Sequence, residues 1–434
     1  MSSVAEVKLW GRTIGAVSLQ DREAIATFEY EPAFAQSGIQ ISPIMMPLSR
    51  RLFRFPELAY QTFHGLPGLL ADSLPDRFGN ALINAWLARQ GRSPESFNAI
   101  ERLCYTGARG IGALEFSPVS GPKARISTHI QIDQLVELAS TVLSHRNELN
   151  LSFGDTDGED AMRELLQVGT SAGGARAKAV IAWNSTTNEV RSGQVTAGQG
   201  FDYWLLKFDG VAGNMDKELE DPQGYGVIEY AYSQMAMDAG ITMSDCRLFE
   251  ENGRRHFMSR RFDRLAGGEK LHMQSLGAMA HYDYNMAGAY AYEQALLVMR
   301  QLGLPMEMIE QQFRRMAFNI IARNQDDHVK NIAFLMDKSG TWSLSPAFDI
   351  TYSFNPAGAW TADHQMTMNG KRDDFTLDDF NACAKTASMK RGRANKIVDE
   401  VRDTVWRWKT YADDAGVTRL QRDQIQAALR LDSF

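Results

Sequence analysis

Apolar and polar positions alternate at the start of the chain, which is the pattern of short β-strands. Within residues 5–19 the apolar side chains recur on both sides of Gly11, and residues 24–30 continue the pattern. We therefore predict a small β-rich unit at the N-terminus. Further strands are predicted at residues 178–183 and 203–208, which are short runs rich in apolar side chains.

Helical spacing takes over later in the chain. In residues 306–323 the apolar side chains recur at steps of three and four, which places them on one buried face of a helix. The same spacing predicts helices at residues 81–90, 132–143 and 226–239. Beyond Arg264 nearly every signal is helical, so a β-rich half precedes a helical half.

Glycine and proline mark two irregular regions in the first part of the chain. Residues 103–116 contain three glycines and predict a turn followed by a strand. Proline and glycine cluster again at residues 117–125, where we place a domain boundary. The 434 residues are enough for two to three domains of roughly 150 residues each.

Charge and cysteine content narrow the class of protein. The chain carries 46 Lys and Arg against 53 Asp and Glu, a net charge of −7, which argues against unaided binding of nucleic acid. Its three cysteines lie far apart and provide neither a disulfide framework nor a Cys-x-x-Cys metal site. Because the sequence shows no signal peptide and no long apolar run, we expect a cytoplasmic protein that does not span a membrane.

A polar segment at residues 324–331 lies between the buried helix and an apolar run at residues 332–336. In it, Asp326 and Asn331 have the D-x-x-x-x-N spacing of a kinase catalytic loop, where the aspartate positions the acceptor hydroxyl and the asparagine binds magnesium. Asp327 does not fit that spacing. Because so short a pattern also arises by chance, a solvated polar turn is the alternative.

The order of other residues along the chain favours the kinase interpretation. They are a glycine-rich loop with Gly169, Gly173 and Gly174, then a strand lysine, Lys207, a helix glutamate, Glu229, and finally Asp349, which follows the polar segment. Phosphoryl transfer needs such groups, because it depends on positioning and on neutralising phosphate charge. Lys207 is costly to bury in an apolar strand without a phosphate or a carboxylate, and Glu229 can be that carboxylate.

Each of these residues also has a purely structural interpretation. Lys207 could protect an edge strand from aggregation, Glu229 could lie on a solvated helix face, and Asp349 could cap a helix. Two other kinds of site are disfavoured. No Gly-Lys-Ser/Thr sequence follows Gly169, as a P-loop requires, and no second histidine stands at zinc-ligand spacing from His328.

Together these segments resemble the HipA family of bacterial toxin kinases. The similarity rests on residues 169–178, 206–208, 259–264, 324–331 and 344–349, and it extends into the first domain through residues 74–76 and 110–116. The resemblance implies an α+β, protein-kinase-like fold of two lobes, in which a small β-rich domain precedes a β-rich N-lobe and the C-lobe is all-helical. The implied domains are an N-terminal subdomain at residues 1–120, an N-lobe at residues 125–262 and a C-lobe at residues 263–434.

The resemblance also implies a role for single residues. Asp326 looks like the catalytic base, Asn331 and Asp349 like ligands of Mg²⁺, and Lys207 like the lysine that binds the phosphates of ATP. Ser171 matches the loop serine whose autophosphorylation expels the loop and silences such kinases. Arg260 stands in the hinge where some relatives carry an acidic residue, but the adenine contact expected there is made by the backbone. The residues expected to bind ATP are Gly173, Gly174, Ala175, Arg176, Ala177 and Lys178 of the loop, Lys207, the hinge residues Arg260, Arg261 and Phe262, and His328, Val329, Lys330, Asn331, Phe348 and Asp349.

The resemblance further implies partners. Members of the family are toxins restrained by a small helix-turn-helix antitoxin, HipB, with which they bind operator DNA, and their targets include aminoacyl-tRNA synthetases. The implied function is that of an ATP- and magnesium-dependent serine/threonine-protein kinase, the toxin of a type II toxin–antitoxin system, which also corepresses its own operon.

A basic segment keeps a second interpretation open. It holds five cations and no acidic residue, namely Lys385, Lys390, Arg391, Arg393 and Lys396. These cations could contact DNA phosphates beside an antitoxin, or they could form a solvated helix end. A protein that serves chiefly as a corepressor is therefore one alternative. A small-molecule kinase is another, since aminoglycoside-type phosphotransferases use a related catalytic spacing.

Overall fold

The fold is known from a computed structural model of the chain. The structure describes residues 3–121, 130–144, 165–166, 168–169, 176–194, 197–211, 215–216, 219–220, 224–265 and 268–432. The predicted α+β class with two lobes is confirmed: a small sheet domain, a sheet-based lobe and a largely helical lobe follow one another along the chain.

The N-terminal sheet has four antiparallel strands in the order β3-β2-β1-β4. They are β1 (Ser3–Leu9), β2 (Arg12–Leu19), β3 (Thr27–Tyr30) and β4 (Leu114–Ser117). Gly11 takes a left-handed φ of 77° in the turn between β1 and β2, which glycine adopts without steric cost. The two strands predicted around Gly11 are confirmed, and the third begins at Thr27 rather than at residue 24.

Four helices complete the first part of the chain. They are α1 (Tyr60–Phe63), α2 (Gly68–Ala71), α3 (Arg77–Arg89) and α4 (Ala99–Thr106). The helix predicted at residues 81–90 begins earlier because Asp76 caps it, its carboxylate accepting the N–H of Gly79 at 2.6 Å. Residues 99–106 form a helix that extends into the turn predicted from residue 103, because Asn98 and Glu101 form a reciprocal capping box.

The N-lobe is built on a five-stranded antiparallel sheet in the order β10-β11-β7-β5-β6. Its strands are β5 (Lys178–Asn184), β6 (Glu189–Ser192), β7 (Asp202–Lys207), β10 (Cys246–Glu251) and β11 (Arg254–Arg260), and β8 (Met215–Asp216) pairs with β9 (Leu219–Glu220) beside it. The helices α5 (Ile132–Ser144) and α6 (Tyr225–Asp238) accompany the sheet. The strand register places Lys178 directly opposite Lys207.

Helix α6 lies unusually close to strand β11. A Cβ atom on Gly226 would stand 3.1 Å from both the Arg255 carbonyl oxygen and the Phe257 nitrogen, so only a residue without a side chain fits there easily. One helical turn later this approach brings Glu229 to the sheet, with its side chain buried.

The hydrophobic core of the N-lobe includes side chains from before the domain boundary that the sequence predicts. Phe78 and Leu82 of α3 pack in one cluster with Leu206 and Met258 of the N-lobe sheet. Helix α3 therefore belongs physically to the N-lobe core, although it precedes the expected boundary. The domain limits 1–120, 125–262 and 263–434 stay a prediction.

The C-lobe consists mainly of helices around a large apolar core. The helices are α7 (Leu276–Ala280), α8 (Tyr292–Gln301), α9 (Met306–Ile321), α10 (Leu377–Thr386), α11 (Arg393–Val405), α12 (Trp408–Ala415) and α13 (Arg419–Ala428). The buried helix predicted at residues 306–323 is confirmed as α9. Among the described helices, none has the length and apolar character needed to cross a bilayer.

The prediction of an all-helical C-lobe needs a correction. The strands β12 (His272–Ser275), β13 (Ala333–Met336) and β14 (Trp342–Leu344) form a three-stranded antiparallel sheet in this lobe. Every residue of the central strand β13 is buried, and Met336 of β13 and Trp342 of β14 also pack against the core of the N-terminal domain. The sheet thus joins the C-lobe to the first domain.

Candidate active site

The structure brings Lys207, Glu229 and Asp349 together between the lobes. The Lys207 Nζ atom lies 2.5 Å from Glu229 Oε1 and 2.6 Å from Asp349 Oδ1. Lys207 is 9% exposed and Glu229 only 1%. The edge-strand and solvated-face interpretations of these two residues therefore do not hold, since β7 lies inside its sheet.

The three charges stabilise one another. Burial alone would lower the pKa of Lys207, but the Asp349 and Glu229 carboxylates outweigh it and raise the pKa above its ordinary value. Burial would likewise raise the pKa of Asp349, but the ammonium groups of Lys207 and Lys178 lower it to about 2. Lys207 and Asp349 are consequently both ionised at neutral pH.

The polar segment forms a tight loop after helix α9. Arg323 takes a left-handed φ of 57° and turns the chain, and residues 329–331 form a single 3₁₀ turn. The Asn331 side-chain amide donates to the Asp326 carbonyl oxygen at 2.9 Å, which closes the loop on itself. The two residues of the D-x-x-x-x-N spacing are thereby held side by side.

Asp327 has a structural role in this loop that the sequence did not reveal. Its buried carboxylate accepts hydrogen bonds from the Tyr292 hydroxyl at 2.6 Å and the Gln365 N–H at 2.7 Å, and it lies 2.8 Å from His364 Nδ1. Burial opposes ionisation, but His364 and these hydrogen bonds lower the pKa of Asp327 below its usual range. Asp327 thus fixes the loop to the C-lobe, and it is Asp326 that reaches the surface of the cleft.

Asp326 is partly accessible, with 22% of its side chain exposed. Its Oδ1 atom accepts the Trp360 indole N–H at 2.6 Å, and Oδ2 lies 3.9 Å from His328 Nε2. The Asp326 N–H donates to the Ser353 hydroxyl oxygen at 3.0 Å. Backbone and side chain of this residue are both held in place.

Asp349 and Phe348 lie at the junction of the lobes. Asp349 takes a left-handed φ of 52°, which few residues other than glycine, asparagine and aspartate adopt. Its carbonyl oxygen accepts from the Asn324 amide at 3.4 Å, which ties it to the polar segment of residues 324–331. The Phe348 ring lies 5.8 Å from the Phe262 ring of the hinge segment. The expected hinge and the expected metal ligand therefore flank the same space.

The hinge backbone is partly engaged within the protein. The Arg260 N–H donates to the Asp245 carbonyl and the Arg261 N–H to the Tyr203 carbonyl, both at 2.8 Å. Neither N–H is therefore available to adenine, so a backbone contact here would fall to the Phe262 N–H or to the carbonyl groups. The Arg260 side chain is exposed and pairs with Asp202, so it points away from a buried base.

The hinge is also connected to the N-terminal domain through Asp263. The buried Asp263 carboxylate accepts from Arg261 Nε at 2.7 Å and from the Gly112 N–H at 2.8 Å. Gly112 itself cannot be enlarged easily, because a Cβ there would lie 2.8 Å from the Met273 nitrogen. The contact between Asp263 and Gly112 joins residues 151 positions apart, so no local pattern in the sequence predicts it.

The structure describes only some of the residues expected in the nucleotide loop. Arg176 Nη1 lies 3.5 Å from Glu229 Oε2, and Lys178 Nζ lies 3.7 Å from Asp76 Oδ2. Ala177 is fully buried, so it can face a nucleotide only through its backbone. The residues Ser171, Gly173, Gly174 and Ala175 lie outside the described residues.

The residues after Asp326 differ in what they can offer a nucleotide. The Val329 side chain is buried in the C-lobe core, so only its backbone could take part. The His328 ring lies 5.7 Å from the Tyr284 ring at a tilt of 50°, and the Lys330 ammonium lies 5.1 Å from the centre of the same ring. The side chains of His328 and Lys330 therefore border the cleft beside Asp326.

The donor set fits a magnesium ion. Asp349 supplies a carboxylate and Asn331 an amide oxygen, since the Asn331 nitrogen is engaged by Asp326. Mg²⁺ prefers such hard oxygen ligands and commonly takes only one or two from the protein, with phosphates and water completing its shell. Within the described part of the chain, no group of three or more His, Cys, Asp and Glu side chains is arranged to hold a metal.

The basic segment lies at the turn between α10 and α11. Arg393 pairs with Glu310 at 2.8 Å and Lys396 approaches Glu400 at 3.9 Å, so their charges are partly neutralised. The other three cations are Lys385, Lys390 and Arg391, and all three are exposed. They form no ion pair with any residue that the structure describes. Of the five cations that the sequence predicts could contact phosphates, three therefore have no ion pair with a described residue and two do.

Comparison with known proteins agrees with this geometry. The HipA N-terminal domain family matches residues 5–117, and the HipA-like C-terminal domain family matches residues 170–408. No curated protein matches the sequence closely.

Among solved structures, the chain is similar to HipA of the Shewanella oneidensis MR-1 toxin–antitoxin system, solved with HipB and operator DNA. The TM-score is 0.67 at 15% identity, over 98% of this chain and 94% of that one. A weaker likeness, with a TM-score of 0.33 at 9% identity over 52% of this chain and 84% of that one, is to the Helicobacter pylori proinflammatory kinase CtkA. Since the two family matches together cover most of the sequence, the chain belongs to the HipA family of toxin–antitoxin proteins.

Proposed function

We propose that this protein is an ATP-dependent serine/threonine-protein kinase, the toxin of a type II toxin–antitoxin system. The observation that carries the proposal is the Lys207 ammonium, which contacts both Glu229 and Asp349. Protein kinases need such an arrangement for phosphoryl transfer: a lysine on a strand pairs with a glutamate on a helix, beside an aspartate that binds the metal. Asp326 and Asn331 complete it on the facing loop.

Each residue has a distinct task in the proposed reaction. Asp326 orients the acceptor hydroxyl and accepts its proton, because its carboxylate is partly exposed at the edge of the cleft. Lys207, held by Glu229, contacts phosphate oxygens. Asn331 and Asp349 hold Mg²⁺, which supplies neutralisation of phosphate charge when bound. Lys178 and Arg176 add positive charge on the same side of the cleft.

The proposal includes regulation and partners. The Shewanella oneidensis structure holds HipB and operator DNA, and we propose an equivalent helix-turn-helix antitoxin and operator for this chain. We also propose that autophosphorylation of Ser171 silences the enzyme, that an aminoacyl-tRNA synthetase is a candidate target, and that the protein acts in the cytoplasm. The exposed Lys385, Lys390 and Arg391 support a second contribution, in which the chain assists repression by contacting DNA phosphates.

The test is transfer of label from ATP to host protein. Purified protein is incubated with γ-labelled ATP, Mg²⁺ and host lysate, and labelled proteins are identified by mass spectrometry. We expect a discrete labelled protein that is absent with the Asp349→Asn variant. Label confined to a small-molecule fraction would instead favour the small-molecule kinase. Absence of any label, together with intact operator binding by the antitoxin complex, would favour the corepressor function.

A further inference from the structure

Trp360 contacts the catalytic-loop carboxylate directly. Its indole Nε1 donates to Asp326 Oδ1 at 2.6 Å, across 34 residues of sequence. The distance is short for an N–H···O bond, as is common when the acceptor is an ionised carboxylate. Trp360 itself is half-buried, so the contact lies at the border of the cleft, where an acceptor substrate must approach.

The segment around Trp360 is fixed to the same loop by several hydrogen bonds. The Gln325 amide donates to the Ala362 carbonyl at 2.9 Å, and the Gln365 N–H donates to Asp327 Oδ1 at 2.7 Å. The Gln365 side chain also donates to the Trp360 carbonyl oxygen. Because Gln325 and Asp327, on either side of Asp326, both hold this segment, the indole cannot shift without the loop.

We propose that Trp360 is a positioning residue for phosphate transfer. A carboxylate on its own rotates about its Cβ–Cγ bond between broad, nearly equivalent orientations. The hydrogen bond from Trp360 to Oδ1 fixes that plane and therefore the direction in which Oδ2 faces the acceptor hydroxyl. This inference rests on the proposed kinase function.

The opposite role is the competing explanation for the same contact. If the acceptor hydroxyl must bind at Oδ1, the indole N–H obstructs it, and the contact would restrain the enzyme. The two roles predict opposite effects on the transfer rate when the N–H is removed. A substitution that keeps an aromatic ring and removes the donor therefore separates them.

The test uses the full chain with Trp360→Phe, and Trp406→Phe as its matched control. Trp406 is 61% exposed and lies directly after the end of α11. Single-turnover transfer from γ-labelled Mg·ATP to the protein itself, and intrinsic ATP hydrolysis, are measured with ATP affinity by calorimetry. We expect Trp360→Phe to lower both rates about 10- to 100-fold, the range for losing one hydrogen bond to a charged group. ATP affinity should stay within about two-fold, and Trp406→Phe should match the wild type.

The contrast between transfer rate and thermal stability gives a readout that a merely structural role would not produce. We expect Trp360→Phe to lower the single-turnover rate while its unfolding temperature and its ATP affinity stay close to those of the wild type. A loss of rate that is matched by a loss of stability and of ATP affinity would overturn the positioning role.

Three outcomes keep this inference distinct from the proposed function. If Asp326→Asn is inactive and Trp360→Phe is as fast as the wild type, the positioning role is wrong and the kinase function stands. If Trp360→Phe is faster than the wild type, the indole obstructs the acceptor and the inference is likewise wrong. If Asp326→Asn itself retains transfer, the proposed function fails first.

Discussion

Lys207 is the residue on which the electrostatics of the cleft depend. Its ammonium is buried and contacts two carboxylates on different elements, Glu229 of the N-lobe and Asp349 at the lobe junction. Removing one partner of such a buried pair leaves an uncompensated charge, which costs more than the pair contributes when intact. Lys207 therefore serves stability as well as the proposed phosphate contact.

The variant Lys207→Met should lower the free energy of unfolding at pH 7 by about 3–5 kcal/mol. Because Lys207 depresses the pKa of Asp349 to about 2, the stability from this pair is fully present above the ordinary aspartate value of 3.8. It is lost as the pH falls from there toward 2. The difference between wild type and variant should therefore narrow over that window, as measured by urea denaturation at a series of pH values.

A matched control is Lys338→Met, which breaks an exposed pair with Glu269. Exposed pairs contribute less than about 1 kcal/mol, so this variant should unfold nearly as the wild type does. Equal losses in the two lysine variants would contradict the importance given to burial around Lys207.

At the scale of elements, the polar segment of residues 324–331 is held by side chains from several other segments. Asn324 bonds to Asn319 of α9, Asp326 to Trp360, and Asp327 to Tyr292 and His364. Neighbouring aspartates thus have different tasks: Asp327 holds the loop to the lobe, and Asp326 is positioned toward the cleft.

The variant Asp327→Asn should lower the free energy of unfolding by about 1.5–3 kcal/mol, because an amide cannot accept all three hydrogen bonds and leaves a buried partner unsatisfied. Differential scanning calorimetry measures the effect. Asp326→Asn is the control at the adjacent position, and its stability should stay within about 0.5 kcal/mol of the wild type. A similar destabilisation in both variants would show that the two aspartates do not divide these tasks.

Periodicity predicted the elements but not the contacts between them. The strands around Gly11 and the buried face of α9 follow from local alternation and helical spacing, and the order of Lys207, Asp326 and Asp349 predicted a shared site. Helix α4 was missed because its evidence lies in the Asn98–Glu101 capping box rather than in its apolar spacing. The role of Trp360 depends on a contact across 34 residues that no local pattern carries.

At the scale of the whole molecule, the N-terminal domain is joined to the C-lobe by specific polar contacts. The Asp72 carboxylate accepts from both the backbone and the hydroxyl of Ser275, at 2.7 and 2.8 Å. The Gly68 N–H donates to His281 Nε2 at 3.0 Å, and burial lowers the pKa of His281 to about 4, so this ring is a neutral acceptor at pH 7. The first domain is thus an integral part of the two-lobed body.

The exposed cations of the basic segment are the surface charges that we propose contact operator DNA. Neutralising Lys390 and Arg391 to glutamine should weaken operator binding by the complex with the antitoxin. It should also flatten the slope of log K against log salt concentration by about 0.9 for each phosphate that the protein no longer neutralises. Arg393→Gln should have a smaller effect, because Glu310 already pairs with Arg393. Fluorescence anisotropy at several salt concentrations measures these slopes. An unchanged slope in the double variant would show that the basic segment is solvated and does not contact DNA phosphates.

The central claim, that this cleft transfers phosphate with Asp326 as its base, is tested most directly by the Asp326→Asn variant. The measurement is single-turnover transfer from γ-labelled Mg·ATP, with ATP affinity determined by calorimetry on the same sample. We predict that transfer falls by about 10²- to 10⁴-fold, the contribution of general base catalysis. ATP affinity should stay within a few-fold of the wild type, since the carboxylate orients the acceptor and not the nucleotide. Transfer by Asp326→Asn within a few-fold of the wild-type rate would contradict the account.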